Sequence, residues 1–270
     1  MYRIVCCDLD ETLIGYDHCI AQRNVDAIRQ ATSQGVLFVP ATGRGYCTIQ
    51  KTLEELSLRN CKGQYAISFN GGAITENAGN RLLHLKGLEA QRAELLYERG
   101  QAFNVCIHVY TEKTVYVWHL NDDERRYLEG RMEVQEIDSP TLDFLGGEEV
   151  VKVLYEYPDY AYLNRVERSL GSLTDELSVS YSSMRYLEFN PKGVEKGAGL
   201  AILAQLLGVQ LSDTVAIGDN INDLQMIKAA GLGCAVANAV DSLKDACDYV
   251  AQADCQAGGV AEVLERFILS

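Results

Sequence analysis

The stretch Ile4-Val-Cys-Cys-Asp8-Leu-Asp10-Glu-Thr12-Leu13 joins an apolar run to two carboxylates two positions apart. On an extended strand, residues i and i+2 face the same side, so Asp8 and Asp10 are expected to emerge together where the strand ends. Two like charges that close are costly unless a cation or a shared proton relieves them. A hard cation with oxygen ligands is the simplest relief, and Mg²⁺ is the usual one beside phosphates. An isolated Asp-X-Asp is more often a strand followed by an acidic turn, and the rest of the chain has to decide between the two readings.

Three further places bear on that choice. Val36-Leu-Phe-Val-Pro-Ala41 is a second apolar run, ending in Thr42-Gly43-Arg44. Lys196-Gly197 precedes a helical pattern over 198–207. Thr214-Val-Ala-Ile217 ends in Gly218-Asp219, with Asn222-Asp223 directly beyond. The order of these groups, an Asp-X-Asp-X-Thr, a Thr-Gly-Arg, a Lys-Gly and a Gly-Asp-X-X-Asn-Asp, resembles the haloacid dehalogenase (HAD) superfamily of phosphohydrolases. The flanking text, Phe69-Asn-Gly-Gly72 and Gly193-Val-Glu-Lys-Gly197, is similar to its Cof-type branch (type IIB), whose members carry an inserted α/β cap.

The resemblance implies a role for each group. Asp8 is the nucleophile that attacks phosphorus, giving an aspartyl phosphate and dividing one hard displacement into two easier ones. Asp10 is the general acid for the leaving alcohol and then the base for water. Asp8, Asp219 and the backbone carbonyl of Asp10 hold Mg²⁺, with Asp223 coordinating directly or through water. The phosphate is bound by the Thr42 hydroxyl and by the Gly43 N–H, expected at a helix start where anions are favoured. Lys196 is catalytic, neutralising Asp8 and the transferring oxygens. It is selected over Lys192 because it directly precedes the glycine that opens the helix. Arg44 binds phosphate or only fixes its loop. Asn222 bonds phosphate, orients Asp8 or caps its helix. Asp223 has an ordinary alternative as an acid in the first turn of a helix. Asn70 faces the site or only turns the chain. Val236-Ala237 stands before Asn238 where the family commonly has Met-Gly, a change confined to local loop geometry.

Elements must bring these groups together. Apolar runs near 3–7, 36–41, 65–69, 214–218 and 234–237 alternate with helical patterns near 21–34, 46–57, 194–207, 222–230 and 259–268. The runs are apolar throughout, as in a parallel sheet covered on both faces. This predicts a doubly wound α/β core, Rossmann-like, with ligands at the carboxyl ends of the strands. The middle of the chain has a different texture: it holds Trp118 and most of the tyrosines, and alternating segments at 104–110 and 114–119 suggest antiparallel strands with one exposed face. Helical patterns near 89–101 and 159–171 interrupt them. The expected organisation is a discontinuous core, 1–81 with 188–270, and an inserted α+β cap, 82–187, that selects the substrate. Cap aromatics such as Tyr110, Tyr116 and Trp118 read as packing residues.

Composition sets the class. A formal net charge of −14 argues against nucleic acid and against an anionic membrane surface. The same charge repels a small phosphate ester at long range, so local positive groups have to capture it. Nine cysteines, an odd number with several inside apolar runs, suit a reducing compartment better than a disulfide framework. No signal-peptide pattern or membrane-length apolar run occurs, and the chain reads as cytoplasmic, with an undefined oligomeric state. The expected activity is Mg²⁺-dependent hydrolysis of a small phosphorylated metabolite, a sugar phosphate or a phosphorylated cofactor. The rivals are a phosphotransferase or mutase using the same intermediate, and a non-catalytic sugar- or nucleotide-binding regulator. A dehalogenase fits less well, since it needs neither Asp10 nor a metal.

Overall fold

A computed structural model describes residues 2–270, which divide into two compact units, one of 2–84 with 195–270 and one of 85–194. In the first unit the chain runs through β1 (Ile4–Asp8), α1 (Gln22–Ser33), β2 (Leu37–Ala41), α2 (Gln50–Glu55), β3 (Tyr65–Ser68), β4 (Ala73–Glu76) and β5 (Arg81–Leu85). The second unit holds α3 (Ala90–Gly100), β6 (Cys106–Thr111), β7 (Val115–Trp118), α4 (Asp122–Leu128), β8 (Gln135–Ile137), β9 (Val150–Glu156), α5 (Tyr160–Leu170), β10 (Leu177–Ser182) and β11 (Tyr186–Pro191). The chain then returns through α6 (Lys196–Leu207), β12 (Thr214–Gly218), α7 (Leu224–Ala229), β13 (Leu232–Ala235), α8 (Asp241–Lys244), β14 (Tyr249–Val250) and α9 (Gly259–Phe267).

The sheet of the first unit has the order β14-β13-β12-β1-β2-β3-β4-β5 among the described residues. It is parallel from β14 to β3 and turns antiparallel at the β3–β4 hairpin. Strand β1 is central, and its side chains alternate between two cores. Val5 and Cys7 pack with Val25 and Ile28 of α1 and with Val260 and Leu264 of α9. Ile4 and Cys6 pack with Leu200 and Leu203 of α6 and with Met226 and Ile227 of α7. Burial on both faces is why these runs are apolar throughout and show no period of two.

Sequence reading and structure differ at several elements. The last core run lies at 232–235, two residues earlier than expected, and β4, β5 and β14 extend the sheet without having been foreseen. They are short, and β5 is half exposed and mixed in polarity. The expected helix over 46–57 begins as a 3₁₀ turn, Tyr46–Ile49, before α2.

The second unit is an α+β layer with strand order β10-β11-β9-β6-β7-β8. One face packs on α3 and α5 through Leu96, Tyr97, Ile107, Val153, Tyr155, Leu163 and Phe189. The other face was expected to be exposed, and it is buried too: every residue of β6 and β9 is buried. It is occupied by paired polar groups. Lys152 donates to Glu188 at 2.6 Å, His108 lies 3.2 Å from Glu124, and Arg185 reaches Asp123, Glu124 and Glu156 at 2.8–2.9 Å. An alternating pattern reports polarity, and pairing lets polar groups occupy an interior position.

Candidate active site

The alternation along β1 decides where Asp8 goes. Asp8 follows Ile4 and Cys6 on the face that packs against α6, and Lys196 is the first residue of α6. The neighbouring strands flank it in register, with Asp8 opposite Ala41 of β2 and Cys7 opposite Ile217 of β12. Thr42 therefore leaves the sheet on one side of Asp8, and Gly218-Asp219 on the other.

Lys196 Nζ donates to Asp8 Oδ1 in a short contact and to Asp223 Oδ1 at 2.6 Å. All three side chains are buried. Asp223 Oδ2 accepts from the backbone N–H groups of Asp219 at 3.1 Å and Asn220 at 3.2 Å. Two glycines permit this packing. A Cβ on Gly197 would lie 2.5 Å from the Gln225 carbonyl oxygen, so only glycine lets the start of α6 rest on the backbone beside α7. A Cβ on Gly218 would meet the Asp223 Cβ at 2.5 Å. The Lys-Gly and Gly-Asp pairs are thus each a charged side chain beside the backbone contact that places it.

The electrostatics favour a cation. Oxygens of Asp8, Asp219 and Asp223 lie within 4.8 Å of one another. Burial pushes the Asp8 carboxyl well above the usual range; Lys196 opposes this, and Asp223, Asp219 and Asp10 reinforce it. Burial would lower the Lys196 ammonium, but Asp223 and Asp8 outweigh it and its pKa is raised. Asp8 is raised by burial first and Lys196 by its two carboxylate partners, and three carboxylates beside one ammonium leave surplus negative charge. Asp219 is pushed up to about 7, by burial first and then by Asp223, while a hydrogen bond from Thr12 opposes the shift. A surplus of buried negative charge on hard oxygen donors suits a divalent cation such as Mg²⁺.

Asp10 takes a different position from Asp8. The chain leaves the strand at Asp8 and turns through Glu11, a non-glycine residue with φ of 63°. The Asp10 carboxylate is exposed and outside the group of three carboxylates. Both of its oxygens accept from Arg44, one from Nε at 2.9 Å and the other in a shorter contact. β1 ends at Asp8, so the position of Asp10 is set by the turn that follows rather than by the alternation of the strand. Thr42 is buried, and its Oγ1 accepts from the Arg44 N–H at 3.1 Å. Gly43 is not at a helix start: the first helical turn begins at Tyr46. The loop is held instead by Asn70, whose N–H donates to the Thr42 carbonyl at 2.9 Å, and by Phe69, whose N–H donates to Arg44 at 3.0 Å. Asn222 does not cap its helix. Asn220 does, in a capping box with Asp223.

Two residues with a part in this arrangement carried no assignment in the sequence reading. Thr12 Oγ1 donates to Asp219 Oδ1 at 2.7 Å, tying the turn after β1 to the loop after β12. Its signal was the threonine of the first motif. Asn238 donates from Nδ2 to the Glu11 carbonyl at 2.7 Å, and its Oδ1 accepts from the Cys255 N–H at 2.9 Å. The sequence marks Asn238 only as the Asn after Val236-Ala237, and gives no sign of its partner Glu11.

Comparison with known proteins places this geometry. A sequence model of the haloacid dehalogenase-like hydrolases matches residues 5–264. The 5-amino-6-(5-phospho-D-ribitylamino)uracil phosphatase YcsE of Bacillus subtilis is 28% identical, the alignment covering 99% of this chain and 96% of that protein. An HMP-PP phosphatase of Yersinia enterocolitica is 27% identical over 100% of this chain and 97% of its own length. The crystal structure of a haloacid dehalogenase-like hydrolase from Bacteroides thetaiotaomicron superposes with a TM-score of 0.86 at 30% identity, covering 98% of this chain and 99% of that one.

Proposed function

The chain belongs to the haloacid dehalogenase-like hydrolases, and we propose that it is a Mg²⁺-dependent phosphatase of small organic phosphate monoesters, working through an aspartyl phosphate on Asp8. The phosphatase class agrees with the relatives' names. The observation that carries the finer reading is the buried Asp8 carboxylate at the end of β1, held by Lys196 among three clustered acids.

In this reading an Asp8 oxygen attacks phosphorus and the bond from phosphorus to the alcohol oxygen breaks. Asp10 delivers the proton that the departing alcohol takes up. Water then attacks the aspartyl phosphate, Asp10 receives its proton, and inorganic phosphate leaves while Asp8 is regenerated. Asp8 and Asp219, with the backbone carbonyl of Asp10, would hold Mg²⁺. Asp223 would support them, since both of its oxygens already accept hydrogen bonds. The bound ion would supply charge neutralisation between carboxylate and phosphate. Lys196 neutralises Asp8 from the protein side, and the Thr42–Arg44 loop and Asn222 receive the phosphate. The substrate class is a phosphorylated sugar or cofactor, selected by the inserted unit, because the charged motifs all lie outside it.

Initial rates over a panel of phosphate esters test the reading. Release of inorganic phosphate with Mg²⁺, abolished by excess chelator, is expected. Full activity in chelator would overturn the metal assignment. Phosphate appearing only when a second hydroxyl compound accepts it would favour a phosphotransferase. Substitutions in the inserted unit should alter preference among esters and spare metal affinity.

A further inference from the structure

The segment that carries Asp10 is a tight turn. The Leu13 and Ile14 N–H groups donate to the Leu9 carbonyl at 3.0 and 2.8 Å, and the Glu11 N–H donates to Ile14 at 2.9 Å. Glu11 itself holds φ at 63°, a conformation that costs a residue with a Cβ on the order of 1 kcal/mol or more and persists only where neighbours enforce it. Its carbonyl is the one group of that peptide not used by the turn's own bonds, and Asn238 donates to it at 2.7 Å from 227 residues away.

Asn238 cannot swing away easily. Its Oδ1 accepts from the Cys255 N–H at 2.9 Å. Asp254 and Cys255 belong to a loop that is itself closed: Asp254 Oδ1 accepts from Gln256 and Ala257, and its carbonyl accepts from Gly259 at the start of α9. The reverse orientation of the carboxamide would set donor against donor at Cys255 and acceptor against acceptor at Glu11, so the amide has one satisfied orientation.

We propose that Asn238 is a positioning residue for Asp10: it locks the left-handed turn at Glu11 and so sets where the Asp10 carboxylate stands for proton transfer. The inference rests on the phosphatase reading. Asn238 makes no hydrogen bond to the three clustered acids or to Lys196, but the turn it holds also carries the Asp10 carbonyl and Thr12, so rates are read at saturating Mg²⁺, where the proton-transfer part of the reaction remains. That part matters most for a poor leaving group.

The discriminating variant is Asn238→Asp. It keeps an acceptor for the Cys255 N–H and replaces the donor to Glu11 with an oxygen that repels the carbonyl. The kcat for an alkyl phosphate should fall about tenfold or more, and that for p-nitrophenyl phosphate by less than about threefold, with KM little changed for either. Hydrogen exchange of the Glu11, Leu13 and Ile14 amides should quicken. Asn238→Ala should show the same substrate selectivity and a lower melting temperature, because it also frees Cys255. An equal loss on both esters, or an Asp variant within about twofold of wild type on the alkyl ester, overturns the positioning role while leaving the phosphatase reading intact. A wild type that hydrolyses neither ester in Mg²⁺ overturns the phosphatase reading and this inference with it.

Discussion

Arg44 grips both oxygens of Asp10, with Nε donating to Oδ2 at 2.9 Å and a terminal nitrogen donating to Oδ1, although the two residues lie 34 positions apart. The pair is partly solvent-exposed, so its worth lies in geometry more than in stability. Arg44 is itself carried by the loop that Phe69 and Asn70 hold.

An ammonium cannot reproduce this two-pronged contact. Arg44→Lys should therefore leave the melting temperature nearly unchanged and lower kcat/KM for an alkyl phosphate by about tenfold. Steady-state kinetics on alkyl and aryl esters check it. An unchanged kcat/KM would reduce the pair to a surface contact.

Asp8→Asn should fold and should lose turnover almost completely, by more than about a hundredfold, because an amide does not attack phosphorus. Rates on purified variant with matched circular dichroism spectra are the measurement. Residual activity of several per cent would sink the covalent route.

Asp219 and Asp223 should separate. Asp219→Ala removes one of the clustered oxygens and should raise the Mg²⁺ concentration for half-maximal activity strongly. Asp223→Ala also strips the acceptor from two backbone N–H groups and leaves Lys196 with Asp8 alone. The stranded N–H groups should destabilise the fold by about 1–3 kcal/mol, the usual cost of a buried unsatisfied donor. Urea unfolding without metal distinguishes them, and equal stabilities would contradict the separation.

Acid stability should depend on Glu262. Burial would raise its pKa, but a hydrogen bond from Tyr249 and bonds from the Gln252 and Ala253 N–H groups outweigh this and hold the carboxyl below its ordinary value of 4.5. A carboxyl depressed in the folded state contributes stability above its unfolded pKa and loses it as pH falls through the folded one. Glu262→Gln should be less stable than wild type at neutral pH, with the difference shrinking below about pH 4.5. Thermal melts between pH 3 and 7 report this, and a pH-independent difference would refute it.

The sequence by itself determined the core. Runs apolar throughout and separated by helical patterns read as central strands of a covered parallel sheet, with the polar groups at several of their carboxyl ends on one edge. Those are local properties: period, run length and the residue that ends a run. Helices α3 and α5 and the β6–β7 pair were legible for the same reason. Tertiary structure alone decided matters between residues far apart in the chain. The resemblance already set Lys196 against Asp8 across 188 positions, whereas nothing in the sequence joined Asn238 to Glu11 across 227. Asp10 stands beyond the end of β1, in the turn at Glu11, where Arg44 from 34 positions away takes its carboxylate. The second face of the inserted sheet is buried because Lys152 found Glu188, and Arg185 found Glu124 and Glu156. A linear pattern scores each of those side chains as polar, while its free energy in the fold depends on whether a distant partner satisfies it.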